Sequence, residues 1–302
     1  MMLAQLTGAI RKWFAVLSPR AYARSILRDG RASLGRVARD RAALAALGVL
    51  FLPWGALILL RDNFDWLRTL GEMAAILGAF WWLSRAGGLP APPVKYPRAE
   101  SLFAFALIVI WVGWRIGICA KGFPFLPANF VCYKNWTFEI IPKLIEQVIL
   151  PVVVLFLLGY RWRALGLALN LRAWWISSLA LLGVVGYGIY THWNALPEFG
   201  QRLGEFFFGA GLPEEMLFRA VLLTRLEAWW RNSAWALLGA SVIFGLTHLQ
   251  INLLVFSPQN PSEAWLTLLT FQMGMGAVFG FAYQRTRNVL PLAVLHAGVN
   301  AL

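Results

Sequence analysis

The sequence predicts an all-α protein, a polytopic bundle of eight or nine transmembrane helices preceded by an N-terminal amphipathic helix. Of its 302 residues, 59% are hydrophobic and only 14% are charged, and the mean hydropathy is +0.63. So few charges would not cover the surface of a soluble protein of this size. Apolar runs of about membrane-spanning length follow one another from residue 42 onward. Basic residues fall between these runs, as in membrane proteins.

Nine apolar runs define the predicted spans. They cover residues 42–60, 70–83, 101–118, 139–160, 174–190, 206–224, 233–255, 265–283 and 289–302. The second run is short and contains Glu72, and the fourth is interrupted by Pro142, Glu146 and Pro151. Eight spans are therefore the alternative.

Residues 1–41 carry nine basic and two acidic side chains, with apolar residues at helical spacing. This pattern predicts a basic amphipathic helix that binds anionic lipid at the cytoplasmic leaflet. A solvated basic tail is the alternative. We expect no cleaved signal peptide, because Arg11 and Lys12 interrupt the apolar run. The net charge is +13. Because the basic residues lie between apolar runs, as in membrane proteins, we expect no nucleic-acid partner.

The distribution of Lys and Arg predicts a cytoplasmic N-terminus and a C-terminus outside. With nine alternating spans, nineteen basic residues lie on the cytoplasmic side and seven outside. Lys143 is counted among the seven, and Arg225 among the nineteen. Cys119 and Cys132 lie in one predicted outside loop, where a disulfide and two unpaired thiols are both possible.

Three ionisable residues interrupt the apolar run 206–224, and such residues inside a span indicate a functional site. Pro213 suits the first turn of a helix. Glu215 and Arg219 are four residues apart, which predicts an ion pair on one helix face. Glu214 is rotated by about 100° from Glu215. As an unpaired carboxylate in a low dielectric, it would be basic enough to act as a general base.

Two histidines lie inside the spans that follow. His248 comes four residues after Phe244, and the spacing of His296 and Asn300 places both on one helix face. Together with Glu214, these groups supply a base, a second proton acceptor and donors for an oxyanion. These are the groups that attack of water on an amide requires.

These residues form three ordered motifs on successive predicted helices. The motifs are Glu-Glu-x-x-x-Arg at Glu214, Glu215 and Arg219, Phe-x-x-x-His at Phe244 and His248, and His-x-x-x-Asn at His296 and Asn300. In this order they resemble the three motifs of the CPBP family, the CAAX-protease and bacteriocin-processing (Abi) intramembrane endopeptidases. The resemblance covers about residues 174–302. It divides the chain into a basic segment (1–41), transmembrane helices of unassigned role (42–173) and a catalytic membrane domain (174–302).

The resemblance implies an intramembrane protease that cleaves a membrane-anchored protein or peptide. It implies that Glu214 and His248 activate water, and that His296 and Asn300 stabilise the oxyanion. The other motif residues have supporting roles, namely Glu215, Arg219 and Phe244.

The residue types of the motifs are compatible with catalysis with and without a metal. Glu214, His248 and His296 could hold zinc with one position left for water. However, Asn300 is a poor zinc ligand and a good hydrogen-bond donor. The residues therefore favour a glutamate-dependent site with no cofactor over a zinc metalloprotease.

The predicted topology places the motif residues in the outer half of the membrane. This depth predicts a water-filled cavity in the outer half of the membrane and cleavage near the outer end of a substrate's transmembrane segment. It suits processing of an anchored, exported protein in a bacterial inner membrane. Two other classes are compatible with buried charges, a proton- or ion-coupled transporter or channel and a catalytically silent scaffold of the same fold.

Overall fold

The computed structural model describes residues 64–84, 89–121, 136–257 and 259–302, together with Gly48, Leu52 and Pro53. The chain divides into two units, Met1–Gly48 and Val49–Leu302, and every feature below belongs to the second unit. The predicted amphipathic helix at 1–41 lies outside the described residues, as does Cys132. The disulfide therefore stays a prediction.

Eight longer helices, several with π-helical turns, and the short 3-10 helices Trp162–Leu165 and Trp193–Ala195 make up the regular structure of the described residues from 64 onward. The longer helices are α1 (Phe64–Leu83), α2 (Pro97–Lys121), α3 (Trp136–Leu144, the π turn Ile145–Ile149 and Leu150–Leu157), α4 (Leu171–Thr191), α5 (Leu196–Phe206, Phe207–Gly211, Leu212–Glu214, Glu215–Leu223 and Thr224–Trp230), α6 (Ser233–Ile251 and Asn252–Phe256), α7 (Pro261–Thr267, Leu268–Gln272 and Met273–Thr286) and α8 (Leu290–Ala301). The predicted all-α class is confirmed for this part of the chain.

Side-chain caps explain where three of these helices begin. Asn170, Asn232 and Asn260 each precede a helix and accept hydrogen bonds from backbone N–H groups of its first turn. These N–H groups have no partner within the helix, so the caps stabilise the starts of α4, α6 and α7. Pro261 and Pro291 occupy the first turns of α7 and α8, where the missing N–H is not needed.

Five helical segments of the described residues are long and apolar enough to cross a membrane. They are Pro97–Gly117, Ile140–Leu157, Leu171–Thr191, Ser233–Leu254 and Pro261–Thr286. Two shorter apolar helices cover Thr69–Leu83 and Leu290–Ala301. The chain is therefore an integral membrane protein, while the count of eight or nine spans stays a prediction.

The outer faces of these helices are apolar, as contact with lipid requires. On α2, large side chains including Leu102, Phe105, Val109 and Ile110 are exposed. Contiguous exposed apolar surface of this kind is unfavourable in water and neutral in a bilayer. The periphery of the bundle thus agrees with the composition.

Helix α5 lies at the centre of the bundle. Every residue of its Glu215–Leu223 segment is buried, and this segment packs against α2, α6 and α7. Helix α8 packs against α4 and against the start of α5. The acidic motif is therefore surrounded by protein, and its two carboxylates meet polar side chains of neighbouring helices.

Candidate active site

A cavity of about 440 Å³ lies beside the acidic motif. It receives side chains from α2, α3, α5, α6, α7 and α8. Its ionisable and amide-bearing lining residues are Arg115, Lys143, Glu214, His248, Gln250, Gln272, His296 and Asn300. All four residues with a predicted catalytic role therefore line one cavity.

The backbone of α5 brings the two glutamates close to α8. They lie at the junction of the short segment Leu212–Glu214 with the π segment Glu215–Leu223, and π turns are frequent at functional sites. Just before them, Gly211 lies so close to α8 that an added Cβ would overlap the carbonyl oxygen of Ala293. Only glycine allows this approach of the two helices.

Glu214 is the residue that the other polar groups surround. It is 4% exposed, and its Oε1 accepts a hydrogen bond of 2.8 Å from the Lys143 ammonium group. Its Oε2 lies 3.8 Å from His248 Nε2 and 3.9 Å from His296 Nε2. These two distances are too long for direct hydrogen bonds, and the two histidines converge on the one oxygen that Lys143 does not engage.

Hydrogen bonds at the opposite ring nitrogens orient both histidines. His248 Nδ1 is 2.8 Å from the Phe244 carbonyl oxygen, and His296 Nδ1 is 2.9 Å from Glu215 Oε1. Both oxygens only accept, so Nδ1 carries the proton in each ring. In the neutral rings, each Nε2 therefore presents a lone pair toward Glu214.

Glu215 and Arg219 form the predicted ion pair. Arg219 Nε lies 3.3 Å from Glu215 Oε2, and both side chains are fully buried. The guanidinium group also lies over the ring of Phe244, 4.6 Å from its centroid, a favourable cation–π contact. Phe244 thus supports the site twice, through its ring and through its carbonyl oxygen.

The expectation of an unpaired Glu214 is wrong. Lys143 was counted among the basic residues outside the membrane, but it is only 6% exposed and contacts Glu214. Lys143 is thus the site residue that the sequence did not reveal. The available signal was its position inside the apolar run 139–160, because a basic residue within a span needs a partner.

Asn300 follows His296 by one turn of α8 and lines the same cavity. Its side chain is exposed, and the hydrogen bonds found among the described residues do not involve its amide. An amide in this position has N–H donors to offer to a substrate.

Glu214, His248 and His296 are residue types that bind zinc. The charges of Lys143 and Arg219 already balance those of Glu214 and Glu215, so a dication would add two uncompensated charges to a buried site. In the described ranges, no group of three or more His, Cys, Asp or Glu side chains could hold a metal ion.

Comparison with known proteins supports the resemblance that the three motifs indicated. Residues 202–302 match the family model described as Type II CAAX prenyl endopeptidase Rce1-like. A search of curated proteins and a search of solved structures found no match. The matched region contains all three motifs, whereas Lys143 precedes it. Over residues 202–302 the chain is therefore similar to the CAAX-protease (CPBP) family that the three motifs indicated.

Proposed function

We propose that this protein is an intramembrane endopeptidase that hydrolyses a peptide bond of a membrane-anchored protein or peptide. One observation carries the proposal: Glu214 Oε2 and the Nε2 atoms of His248 and His296 converge at 3.8 and 3.9 Å beside the cavity. A family match to CAAX prenyl endopeptidases over the same residues supports it.

In this proposal, one water molecule binds between Glu214 Oε2 and His248 Nε2. Two hydrogen bonds of about 2.8 Å each readily span the 3.8 Å between these atoms. Both atoms accept, so the water donates both hydrogens and turns a lone pair toward the substrate carbonyl. As the water oxygen attacks the carbonyl carbon, Glu214 takes one proton and the C=O electron pair moves to the oxygen.

The resulting oxyanion would be stabilised from α8. Asn300 donates from its amide, and His296 donates from Nε2 in its doubly protonated form. Glu215 holds the other nitrogen of that ring at 2.9 Å. Collapse of the intermediate breaks the C–N bond, and Glu214 returns the proton to the departing nitrogen.

The lining of the cavity favours an apolar substrate segment. Besides the polar groups, it contains Trp111, Phe206, Ile251, Phe256 and Phe271. Such a surface excludes water around the scissile bond and suits a transmembrane or lipid-modified chain. With the topology predicted above, the cut falls in the outer half of the membrane, which suits an anchored, exported protein.

We further propose that the reaction needs no metal. Lys143 supplies a fixed positive charge beside Glu214, so no dication is needed to keep the carboxylate ionised. Elemental analysis of the purified protein tests this point, and we expect zinc well below one equivalent. A 1:1 zinc content that disappears together with activity in His296→Ala would contradict it.

The central experiment compares the membrane proteomes of a deletion strain complemented with wild type, Glu214→Gln or Glu205→Gln. Glu205 lies on α5 as well, but it is only partly buried and accepts a solvent-exposed hydrogen bond from Gln201, so it is the matched control. We expect a membrane protein to accumulate uncleaved with Glu214→Gln and to be processed with the other two. Cleavage should then be reproduced with this substrate and purified protein in liposomes.

Two outcomes would contradict the proposal. If Glu214→Gln processes the same proteins as wild type, Glu214 is not the general base. If purified wild type conducts ions in liposomes without cleaving any membrane protein that accumulates in the deletion strain, a transporter or channel fits better.

A further inference from the structure

Lys143 approaches the site from a part of the chain that the family match does not include. It lies on α3, 71 residues before Glu214, whereas the match begins at residue 202. Its ammonium group donates to Glu214 Oε1 at 2.8 Å and to the Gly209 carbonyl oxygen at 2.9 Å. Both bonds are buried, so they lie in a low dielectric, where such contacts are strong.

The local structure of α3 explains how this side chain reaches α5. Pro142 interrupts the hydrogen-bond ladder just before Lys143, and the π turn Ile145–Ile149 follows it. This π turn packs against the Leu212–Glu214 and Glu215–Leu223 segments of α5. Lys143 therefore leaves α3 at the point of contact with the acidic motif.

The charges around Glu214 show what Lys143 contributes. The groups that face the Glu214 carboxylate are Lys143 from α3 and the two histidines from α6 and α8. Arg219 is held by Glu215, and Arg115 on α2 interacts electrostatically with Glu146. Among the described residues, Lys143 is the cation that hydrogen-bonds Glu214 directly, so its loss would remove the nearest counter-charge of a buried carboxylate.

The contact with Lys143 also gives the two carboxylate oxygens of Glu214 different roles. Lys143 engages Oε1, and Oε2 faces both histidines. Because a carboxylate is planar, a short bond at Oε1 restricts the direction of Oε2. Lys143 therefore both orients the Glu214 carboxylate and supplies its counter-charge.

We propose that Lys143 is a positioning residue of this site, which keeps Glu214 ionised and directs Oε2 toward the water that His248 shares. The inference rests on the proposed function, because it assigns a role relative to the proposed general base. It extends the working site beyond residues 202–302 to helix α3.

The test is the pH dependence of cleavage of the substrate identified above, with purified Lys143→Met and Lys143→Arg in liposomes. Methionine has about the volume of lysine without its charge, and arginine keeps the charge. In Lys143→Met, Glu214 should take up a proton more readily, so the acid limb of the kcat profile should move up by about 1 to 3 pH units. We therefore expect at least a tenfold loss at neutral pH that partly recovers at higher pH, and an unmoved acid limb in Lys143→Arg.

Lys95→Met is the matched control. Lys95 Nζ donates to the Leu158 carbonyl oxygen, away from the cavity lining, and its loss should leave the profile unchanged. If Lys143→Met does not fold, Lys143→Gln replaces it, because an amide still donates to Gly209 but carries no charge.

An acid limb that stays in place in Lys143→Met or Lys143→Gln would overturn the inference, even if the protein became less stable. If Glu214→Gln is inactive in the same assay, only the role of Lys143 fails. If Glu214→Gln is active, the proposed function itself fails.

A second measurement needs no substrate. Thermal unfolding of Lys143→Met, Glu214→Gln and the double variant forms a double-mutant cycle. We expect the double variant to be more stable than Lys143→Met, because it no longer buries a lone carboxylate. If the losses of stability in the two single variants simply add in the double variant, the two side chains do not interact and the inference fails.

Discussion

The carboxylate of Glu215 lies 2.9 Å from Nδ1 of His296, and this contact decides which ring nitrogen faces the cavity. Glu215 accepts the Nδ1 proton, so Nε2 points toward Glu214. The ring is further held by stacking on Phe279, with the centroids 4.8 Å apart. Glu215 thus links the motif helix α5 to the third-motif helix α8.

The first prediction follows from this contact. In Glu215→Gln, the amide can present its N–H₂ group to Nδ1 of His296, which favours the other tautomer. We expect kcat to fall by about 10²- to 10⁴-fold, by analogy with the orienting carboxylate of serine proteases. Glu205→Gln should behave as wild type in the same assay. An unchanged kcat would show that the tautomer of His296 does not matter.

The second prediction concerns Asn300. Removing one oxyanion donor typically lowers kcat by about 10²- to 10³-fold, and we expect this loss in Asn300→Ala. The unfolding temperature should not change, because the side chain is exposed. Steady-state kinetics together with thermal unfolding separates the two effects. Wild-type kcat in this variant would remove Asn300 from the oxyanion site.

The third prediction concerns the close approach of α5 and α8. In Gly211→Ala, the new methyl group would overlap the Ala293 carbonyl oxygen and force the helices apart. We expect a loss of about 1–3 kcal/mol in the free energy of unfolding, together with at least a tenfold lower kcat as Glu215 moves away from His296. In the control Gly204→Ala the added Cβ meets no atom within 4 Å, so this variant should be as active and stable as wild type.

The fourth prediction concerns a buried ion pair near the other end of α5. Arg225 Nε lies 3.0 Å from Glu100 Oε2, and Tyr160 donates to Glu100 Oε1 at 2.6 Å. Glu100→Gln leaves the Arg225 charge buried without its partner, which should cost about 3–5 kcal/mol in the free energy of unfolding. The double variant Glu100→Gln/Arg225→Gln should recover part of this loss, as chemical unfolding in detergent can show. A single variant as stable as wild type would contradict the prediction.

The candidate catalytic residues were predicted from short-range patterns and from recognition of the three motifs. Four-residue spacing on one helix predicts the Glu215–Arg219 pair and places His296 and Asn300 on one face. Topology counting, in contrast, treated Lys143 and Arg225 as residues that flank the spans. Both are buried and paired with acidic groups, and counting basic residues does not distinguish a flanking residue from a paired one inside the bundle.

The sequence by itself determined the class of protein and the identity of the motif residues. Its composition requires a lipid environment for most helices. Ionisable residues within apolar runs are energetically costly, so their presence indicates a functional role. These are local or summed properties, so they can be read without knowing the packing.

Tertiary structure alone decided which groups pair between different helices. Glu214 meets Lys143 across 71 residues of chain, and Glu215 meets His296 across 81. No helical periodicity links residues so far apart. Their contacts depend on how α3, α5 and α8 pack, and on a glycine that lets two of those helices touch. For that physical reason, the structure reveals a Glu214 that is held by a lysine, where the sequence suggested a lone carboxylate.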